Sequence, residues 1–341
     1  MAGKAKRNGG GDIRMSDIAR HAGVSPMTVS RALNDPSSVS DTMRRKVDAA
    51  VREHGYLPNR IAGSLSSKRS NVVGLVVPSI RNSLYANMIH AISDVMRVNG
   101  LHLMIANSGH RLEDEEALVA AFLGQRVCGL VLHNTTHSKR LRELLAKTDI
   151  PVVETGNLPS RPLDMAVSYS NFDAARAMTS HLVRLGYRRI GFVTLPLRDN
   201  DRSHERRRGY FAALKELGLP PDPGLVLEAA GGLSDGADAL VRLVQTYPDI
   251  DAVFFAGDVL AVGALFECHR RGWAVPGRIA IASFDDLDLL RHAVPTVTTL
   301  RIPRHDIGKR SAELLVNRLH GAPAEKVRID VGFEIVQRES T

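Results

Sequence analysis

From Val72 onward the chain alternates between short apolar runs and segments of helical period, and it runs through that alternation twice. The runs VVGLVVP (72–78), LHLMIAN (101–107), GLVLH (129–133) and IPVVET (150–155) have the length and continuous apolarity of buried parallel strands. Segments of helical period lie between them at 83–98, 113–125 and 138–146. The rhythm restarts with RRIGFVT (188–194), GLVLEA (224–229), DAVFFAG (251–257) and IAIASF (279–284), separated by helical stretches at 203–217, 234–246 and 258–271. Two successive βαβ series predict an α/β core of two doubly wound lobes. Ligands in such sheets bind beyond the carboxyl ends of the strands, so a cleft between facing lobes is the expected site.

The first 70 residues differ in kind. They hold 13 Lys/Arg against 6 Asp/Glu, whereas the remaining 271 hold 32 against 31. A basic module before a nearly neutral body suggests a head that binds a polyanion. No apolar run approaches the roughly 18 residues needed to span a bilayer, and MAGKAKRNGGGD lacks the apolar stretch of a signal peptide. Cys128 and Cys268 are far apart and read as two buried thiols in a reducing cytoplasm.

Within the head, SDIARHAG (16–23) sets Ile18, Ala19 and Ala22 on one helical face, with Gly23 as stop. Arg14 supplies no capping oxygen, so Asp12 or Ser16 marks the expected start. Ser25 can cap a second helix with Pro26 at its first position, where a missing N–H costs nothing. Val29, Ala32 and Leu33 form its inner face, and Met27, Ser30, Arg31 and Asn34 the outer one. A third helix is capped by Ser40, striped by Met43, Val47, Ala50 and Val51, and ended by Gly55. Two short helices joined by a Gly-containing turn and braced by a third form an all-α helix-turn-helix unit, whose second helix enters the DNA major groove. Pro58 then separates a short basic segment, NRIAGSLSSKRS (59–70), from the third helix.

MSDIARHAGVSPMTVSRALN, followed by VSDTMRRKV and GYLPNRIAGSL, resembles the head of the LacI/GalR family of bacterial transcription regulators. The resemblance implies a segment 59–66 that forms a hinge helix on DNA, where Asn59, Arg60, Ala62 and Leu65 are contacts. Leu65 would wedge into the minor groove. Gly63 departs from the family's larger polar residue and weakens that helix. In the second helix the resemblance makes Ser25, Pro26, Met27, Thr28, Ser30, Arg31 and Asn34 DNA-binding residues. The planar fork of Arg31 suits guanine, Pro26 and Met27 suit shape and methyl contact, and Thr28, Ser30 and Asn34 suit phosphates.

TLRIPRHDIGKRSAELLVNRL (299–319) is similar to the family's late return to the first lobe, and the body resembles periplasmic sugar-binding proteins. A nearer likeness, in VSPMTVSR, LDMAVSYSNFDAARAMT (163–179) and DVLAVGALFECHRRG (258–272), is to gluconate-operon repressors. It implies a sugar acid, or its phosphorylated form, as effector. Matching the family's positions, Arg206 clamps the ligand, Asp285 accepts its hydroxyls, and Asn82, Leu84, Tyr85 and Asp258 line the cleft. A guanidinium suits a carboxylate or phosphate because the match is bidentate. Gly257 replaces the family's cleft asparagine, and AAGGLSDG (229–236) has none of the usual stacking aromatic, which favours an open-chain ligand over a ring. Glu154 reads either as a partner held behind Arg206 or as a solvated edge residue.

The expected organisation is a flexible basic tail at 1–14, a helix-turn-helix domain at 15–58, a hinge at 59–70 and a core at 71–341 for effector binding and dimerisation. Lobe 1 is expected at about 71–168 plus 301–326, and lobe 2 at about 169–300 plus 327–341. The expected protein is a cytoplasmic homodimeric repressor, on the nucleoid when bound to a palindromic double-stranded operator, with no cofactor or metal and no membrane partner. A neutral sugar or other metabolite is the alternative effector. A solute-binding protein would need an export signal. An enzyme built on Asp285, Asp286 and Asp288 lacks any accompanying catalytic motif, and His133 and His137 read as incidental.

Overall fold

The computed structural model describes residues 13–56, 70–80, 84–323 and 325–341. Residues 1–12 of the expected tail and nearly all of the hinge, including Asn59, Arg60, Ala62, Gly63 and Leu65, lie outside the described residues, as do Asn82 and the side chain of Asn34.

The head contains α1 (Met15–Ala22), α2 (Pro26–Asn34) and α3 (Asp41–His54). Helix α1 starts at neither Asp12 nor Ser16 but at Met15, with Arg14 in the cap position. The N–H of Arg14 donates to the Asp17 carboxylate at 2.9 Å, so an acid one turn inside supplies the oxygen that the arginine cannot. Gly23 ends α1 at φ +67°, a left-handed conformation suited to glycine. Ser25 caps α2, its Oγ accepting the Thr28 N–H at 3.1 Å. Ile18, Ala19, Val29, Ala32, Val47, Ala50 and Tyr56 form the small core. Met43, expected on the inner stripe of α3, is 44% exposed; the packed face runs through Val47 and Ala50 instead.

The body begins with β1 (Val72–Val77), α4 (Leu84–Val98), β2 (His102–Asn107), α5 (Leu112–Gly124), β3 (Gly129–Leu132), α6 (Lys139–Leu145), β4 (Val152–Glu154) and β5 (Met165–Ser168). It continues with α7 (Asn171–Arg184), β6 (Ile190–Thr194), α8 (Asp201–Glu216), β7 (Val226–Glu228), α9 (Leu233–Thr246), β8 (Ala252–Phe255) and α10 (Asp258–Arg271). The last elements are β9 (Ala280–Phe284), α11 (Asp288–His292), β10 (Thr298–Arg301), α12 (Arg304–Leu319), β11 (Val327–Asp330) and β12 (Glu334–Val336).

Two sheets result, ordered β11-β5-β4-β3-β1-β2 and β12-β10-β9-β8-β6-β7. Every pairing is parallel except that of β12 with β10. The alternation therefore reads the architecture correctly, with two corrections. Strand β2 is not buried: it closes one edge of its sheet, and Met104 and Ile105 are 40% and 43% exposed. Residues 327–330 belong to the first lobe, because β11 pairs with β5, so the last crossing between lobes falls at 331–333 rather than after 326.

The chain thus passes between lobes three times, next to Ser168, at 302–303 and at 331–333. Helix α7 and strand β5 occupy 165–184, where the alternation alone resolved no element. Close helix pairing then sets the site. A Cβ at Gly209 would stand 2.1 Å from the Phe172 carbonyl oxygen, so glycine lets α8 lie against α7 and brings Arg206 to Asn171.

Candidate functional site

In the head, the outer face of α2 carries Met27, 64% exposed, and the exposed Arg31, with Thr28 and Ser30 half-buried. Pro26 and Ser25 are exposed at its start. An unpaired methionine this open on a nine-residue helix is poorly explained by packing within the head.

In the body, three arginines converge although all are nearly or wholly removed from solvent. Arg206 is 6% exposed. Its Nε donates to Asn171 Oδ1 at 2.8 Å, Nη1 to the Ala256 carbonyl at 2.7 Å and Nη2 to the Tyr169 hydroxyl at 3.1 Å. Its guanidinium also lies 3.6 Å from the centre of the Phe284 ring, a cation–π contact in a dry setting. Arg304, 7% exposed, starts α12 and pairs with Asp285 through Nε at 3.1 Å and through Nη2. Its Nη2 also meets the Tyr169 hydroxyl at 3.4 Å. Arg202, 6% exposed, stands in the first turn of α8 and reaches across to the first lobe. There its Nη1 donates to the His133 carbonyl at 2.7 Å and to Asn134 Oδ1 at 2.8 Å. Its neighbour Asp201 makes a second bridge, accepting the Thr135 N–H at 3.1 Å and the Thr135 hydroxyl.

The acids here are held as firmly. Asp285 follows β9 at φ +66°, a left-handed conformation that is uncommon outside glycine. Asp258 opens α10, 1% exposed, with Oδ1 accepting the Val259 N–H at 2.7 Å and Oδ2 without a partner. Burial, and next the Asp285 charge, push its carboxyl up to about 7. Tyr85 stands edge-on to His133 at 4.9 Å, and burial raises its hydroxyl against the opposing fields of Arg202 and Arg304. Burial, reinforced by Arg202, holds His133 well below the ordinary histidine range and His110 at about 4. Both rings are therefore neutral at pH 7.

Of the residues expected to line the cleft, Tyr85, Arg206, Asp258 and Asp285 come together. Leu84 packs half-buried against the core. Arg202, Arg304, Tyr169, Asn171 and His110 escaped the sequence reading and His133 was read as incidental, because their convergence depends on the three crossings and not on any local spacing. His137 and Glu154 need correction too. His137, read as incidental, sits buried between Glu115 at 2.8 Å and Glu154 at 3.3 Å, and against the effect of burial its hydrogen bonds to them raise it to about 9. Glu154 is neither solvated nor behind Arg206; it accepts from His137 and from the Leu163 N–H at 2.5 Å. Asp286 is structural, tied to Arg291, Arg301 and Arg338 at 2.9, 2.9 and 2.6 Å. Among the described residues no group of His, Cys, Asp and Glu is arranged to hold a metal, and no helix is long and apolar enough to cross a membrane. A depression of about 500 Å³ lined by Asp306, Lys309 and Glu313 lies on charged, open surface and contains none of the converging arginines.

A helix-turn-helix head and a two-lobed body with a polar interior cleft define a DNA-binding transcription regulator with an effector-binding domain. Comparison with known proteins agrees. The family described as bacterial regulatory proteins, lacI family, matches residues 14–59, and the periplasmic binding protein-like domain matches residues 179–341. The HTH-type transcriptional regulator GntR of Escherichia coli (strain K12) is 35% identical over 94% of this chain and 96% of its own. A LacI-family transcriptional regulator from Silicibacter pomeroyi has a crystal structure of TM-score 0.89 and 29% identity, covering 96% of this chain and 99% of that one. The lac repressor dimer bound to operator and the anti-inducer ONPF gives TM-score 0.82 at 25% identity, covering 97% and 99%. The chain belongs to the lacI family of bacterial regulatory proteins.

Proposed function

We propose that the protein is a cytoplasmic, homodimeric repressor of a sugar-acid catabolic operon, with a gluconate-type acid or its phosphate as the effector. The observation that carries this reading is the convergence of Arg202, Arg206 and Arg304 in one dry cleft. Guanidinium groups hold carboxylates and phosphates by paired, charge-assisted hydrogen bonds. Two aromatic faces of the cleft are already engaged, Phe284 by Arg206 at 3.6 Å and Tyr169 by Arg304 at 5.5 Å, which leaves a sugar ring less free platform there. Asn82, Leu84 and Tyr85 from the first lobe, with Arg206, Asp258 and Asp285 from the second, are the proposed lining.

On DNA, Arg31 reads a base edge, Pro26 and Met27 supply shape and methyl contact, and Ser25, Thr28, Ser30 and Asn34 hold phosphates. Asn59, Arg60, Ala62 and Leu65 are the proposed hinge contacts. Exposed apolar side chains at Val98, Met104 and Ile105 offer a face for a second copy, and two copies would match a palindrome. Lobe closure on the effector would then change operator affinity, typically by 1–3 kcal/mol of coupling.

The test is a thermal-shift screen with gluconate, 6-phosphogluconate, 2-ketogluconate and galactose, repeated as operator titrations with each binder. Stabilisation by an acid, together with a changed operator affinity, is the expected result. Stabilisation by galactose alone would move the effector to the neutral sugars.

A further inference from the structure

Two of the cleft's guanidinium nitrogens are unfilled. Among the described residues, Arg202 Nη2 and Arg304 Nη1 are both buried and have no hydrogen-bond partner, and neither does Asp258 Oδ2. A buried charged donor left unpaired is costly, and these three atoms stand on three different helices, α8, α12 and α10. Each arginine is also held by protein through at least one other nitrogen. Arg202 Nη1 is held by the first lobe, and Arg304 Nε and Nη2 are held by Asp285. The unfilled nitrogens are therefore fixed in place by protein bonds and do not need to be ordered on binding.

The charges limit what fills them. Three guanidinium groups face three carboxylates: Asp201, 3.4 Å from Arg202, then Asp285 on Arg304, and Asp258. The adjoining buried set of Glu115, His137 and Glu154, joined to Arg202 through Asn134, carries two acids for one imidazole and adds no positive charge. One anionic group can enter with a single proton taken up on Asp258 and leave the cleft balanced. A second anionic group would remain uncompensated among side chains that are almost wholly buried.

Resting on the sugar-acid reading, we infer that Arg202 and Arg304 are specificity-determining effector contacts and that the cleft takes an open-chain polyhydroxy acid bearing one negative charge. Arg202 Nη2 and Arg304 Nη1 receive the acid's oxygens, and Asp258 Oδ2 meets a hydroxyl or carboxylate of the same molecule. Arg206, fully engaged with Asn171, Ala256, Tyr169 and Phe284, positions the floor of the cleft beneath the ligand. Arg202 also holds the first lobe, so the same side chain reads the ligand and the closure.

The experiment is titration calorimetry on the full chain with gluconate, 6-phosphogluconate, glucarate and the neutral open-chain polyol glucitol. It is run on the native protein, Arg202→Gln and Arg202→Lys. Gluconate should bind at least tenfold more tightly than either of the more highly charged acids, glucarate and 6-phosphogluconate, and than glucitol. Arg202→Gln should cut the preference for gluconate over glucitol at least tenfold, and Arg202→Lys, which keeps the charge, should retain most of it. Equal or tighter binding of glucarate or 6-phosphogluconate would overturn the inference and leave the sugar-acid reading standing. Equal weakening of gluconate and glucitol in Arg202→Gln would reduce Arg202 to a purely structural bridge and also overturn it. If none of the acids binds, both readings fall together.

Discussion

Arg304 and Asp285 form a buried ion pair across 19 residues of sequence, with Nε–Oδ1 at 3.1 Å. One partner opens α12 and the other follows β9, so the pair ties a crossing of the chain to the end of a second-lobe strand. Removing half of a buried pair leaves an uncompensated charge, which typically costs 3–5 kcal/mol. Arg304→Met should therefore lower the urea midpoint by an amount equivalent to about 3 kcal/mol. A loss below about 1 kcal/mol, the range of exposed pairs, would mean that the pair contributes little.

Helix α2 presents Arg31 outward, with no packing role in the head's core. Arg31→Ala should leave the fold intact, abolish the preference for operator over a scrambled duplex, and leave weak binding that falls steeply with salt. Anisotropy titrations on both duplexes at two salt concentrations measure this. Unchanged operator preference would remove Arg31 from base reading.

The buried set of Glu115, His137 and Glu154 makes stability depend on pH. His137 is raised to about 9 in the folded protein, above its unfolded value of about 6.5. Its contribution is therefore complete below about 6.5 and lost as pH rises towards 9. Stability should fall over that window by up to about tenfold in the folding equilibrium per pH unit. The slope should vanish in His137→Asn, which is less stable throughout. Denaturant curves at intervals of half a pH unit decide it, and a slope shared by both proteins would place its origin elsewhere.

Asp258 supplies a second pH effect, on effector binding. Its carboxyl stands at about 7 because of burial and the Asp285 charge, opposed by the Val259 N–H and Arg304. An acid raised in this way favours its protonated form in the fold, and an incoming anion favours it further. Gluconate affinity should hold below pH 7 and fall above it, with proton uptake visible as a buffer-dependent enthalpy. Asp258→Asn should flatten the profile, and a profile unchanged in that variant would contradict proton uptake at this site.

How much of this was legible beforehand follows from the range of each interaction. The caps at Ser25 and Ser40, the stop at Gly23 and the inner faces of the head's helices apart from Met43 are set within four or five residues, so spacing revealed them. The two-lobed body followed from the period of its apolar runs, which reports strand and helix directly. Asp285 and Arg206 were named as effector contacts through family resemblance; both are buried near one another, and Arg206 is engaged by protein from all sides. Arg202 and Arg304 carried no local signal: in DNDRSHERRRGY and RIPRHDIGKR they look like any surface arginine.

By itself, then, the sequence determined most of the elements (though not β5 and α7), the order of the two lobes and the separate basic head, because propensity, capping and apolar period act along the chain. Tertiary structure alone decided which charges are buried and whom they meet. Three crossings between sheets bring Tyr169, Arg202 and Arg304 together from distant segments, and a buried charge is tolerated only where partners so assembled compensate it.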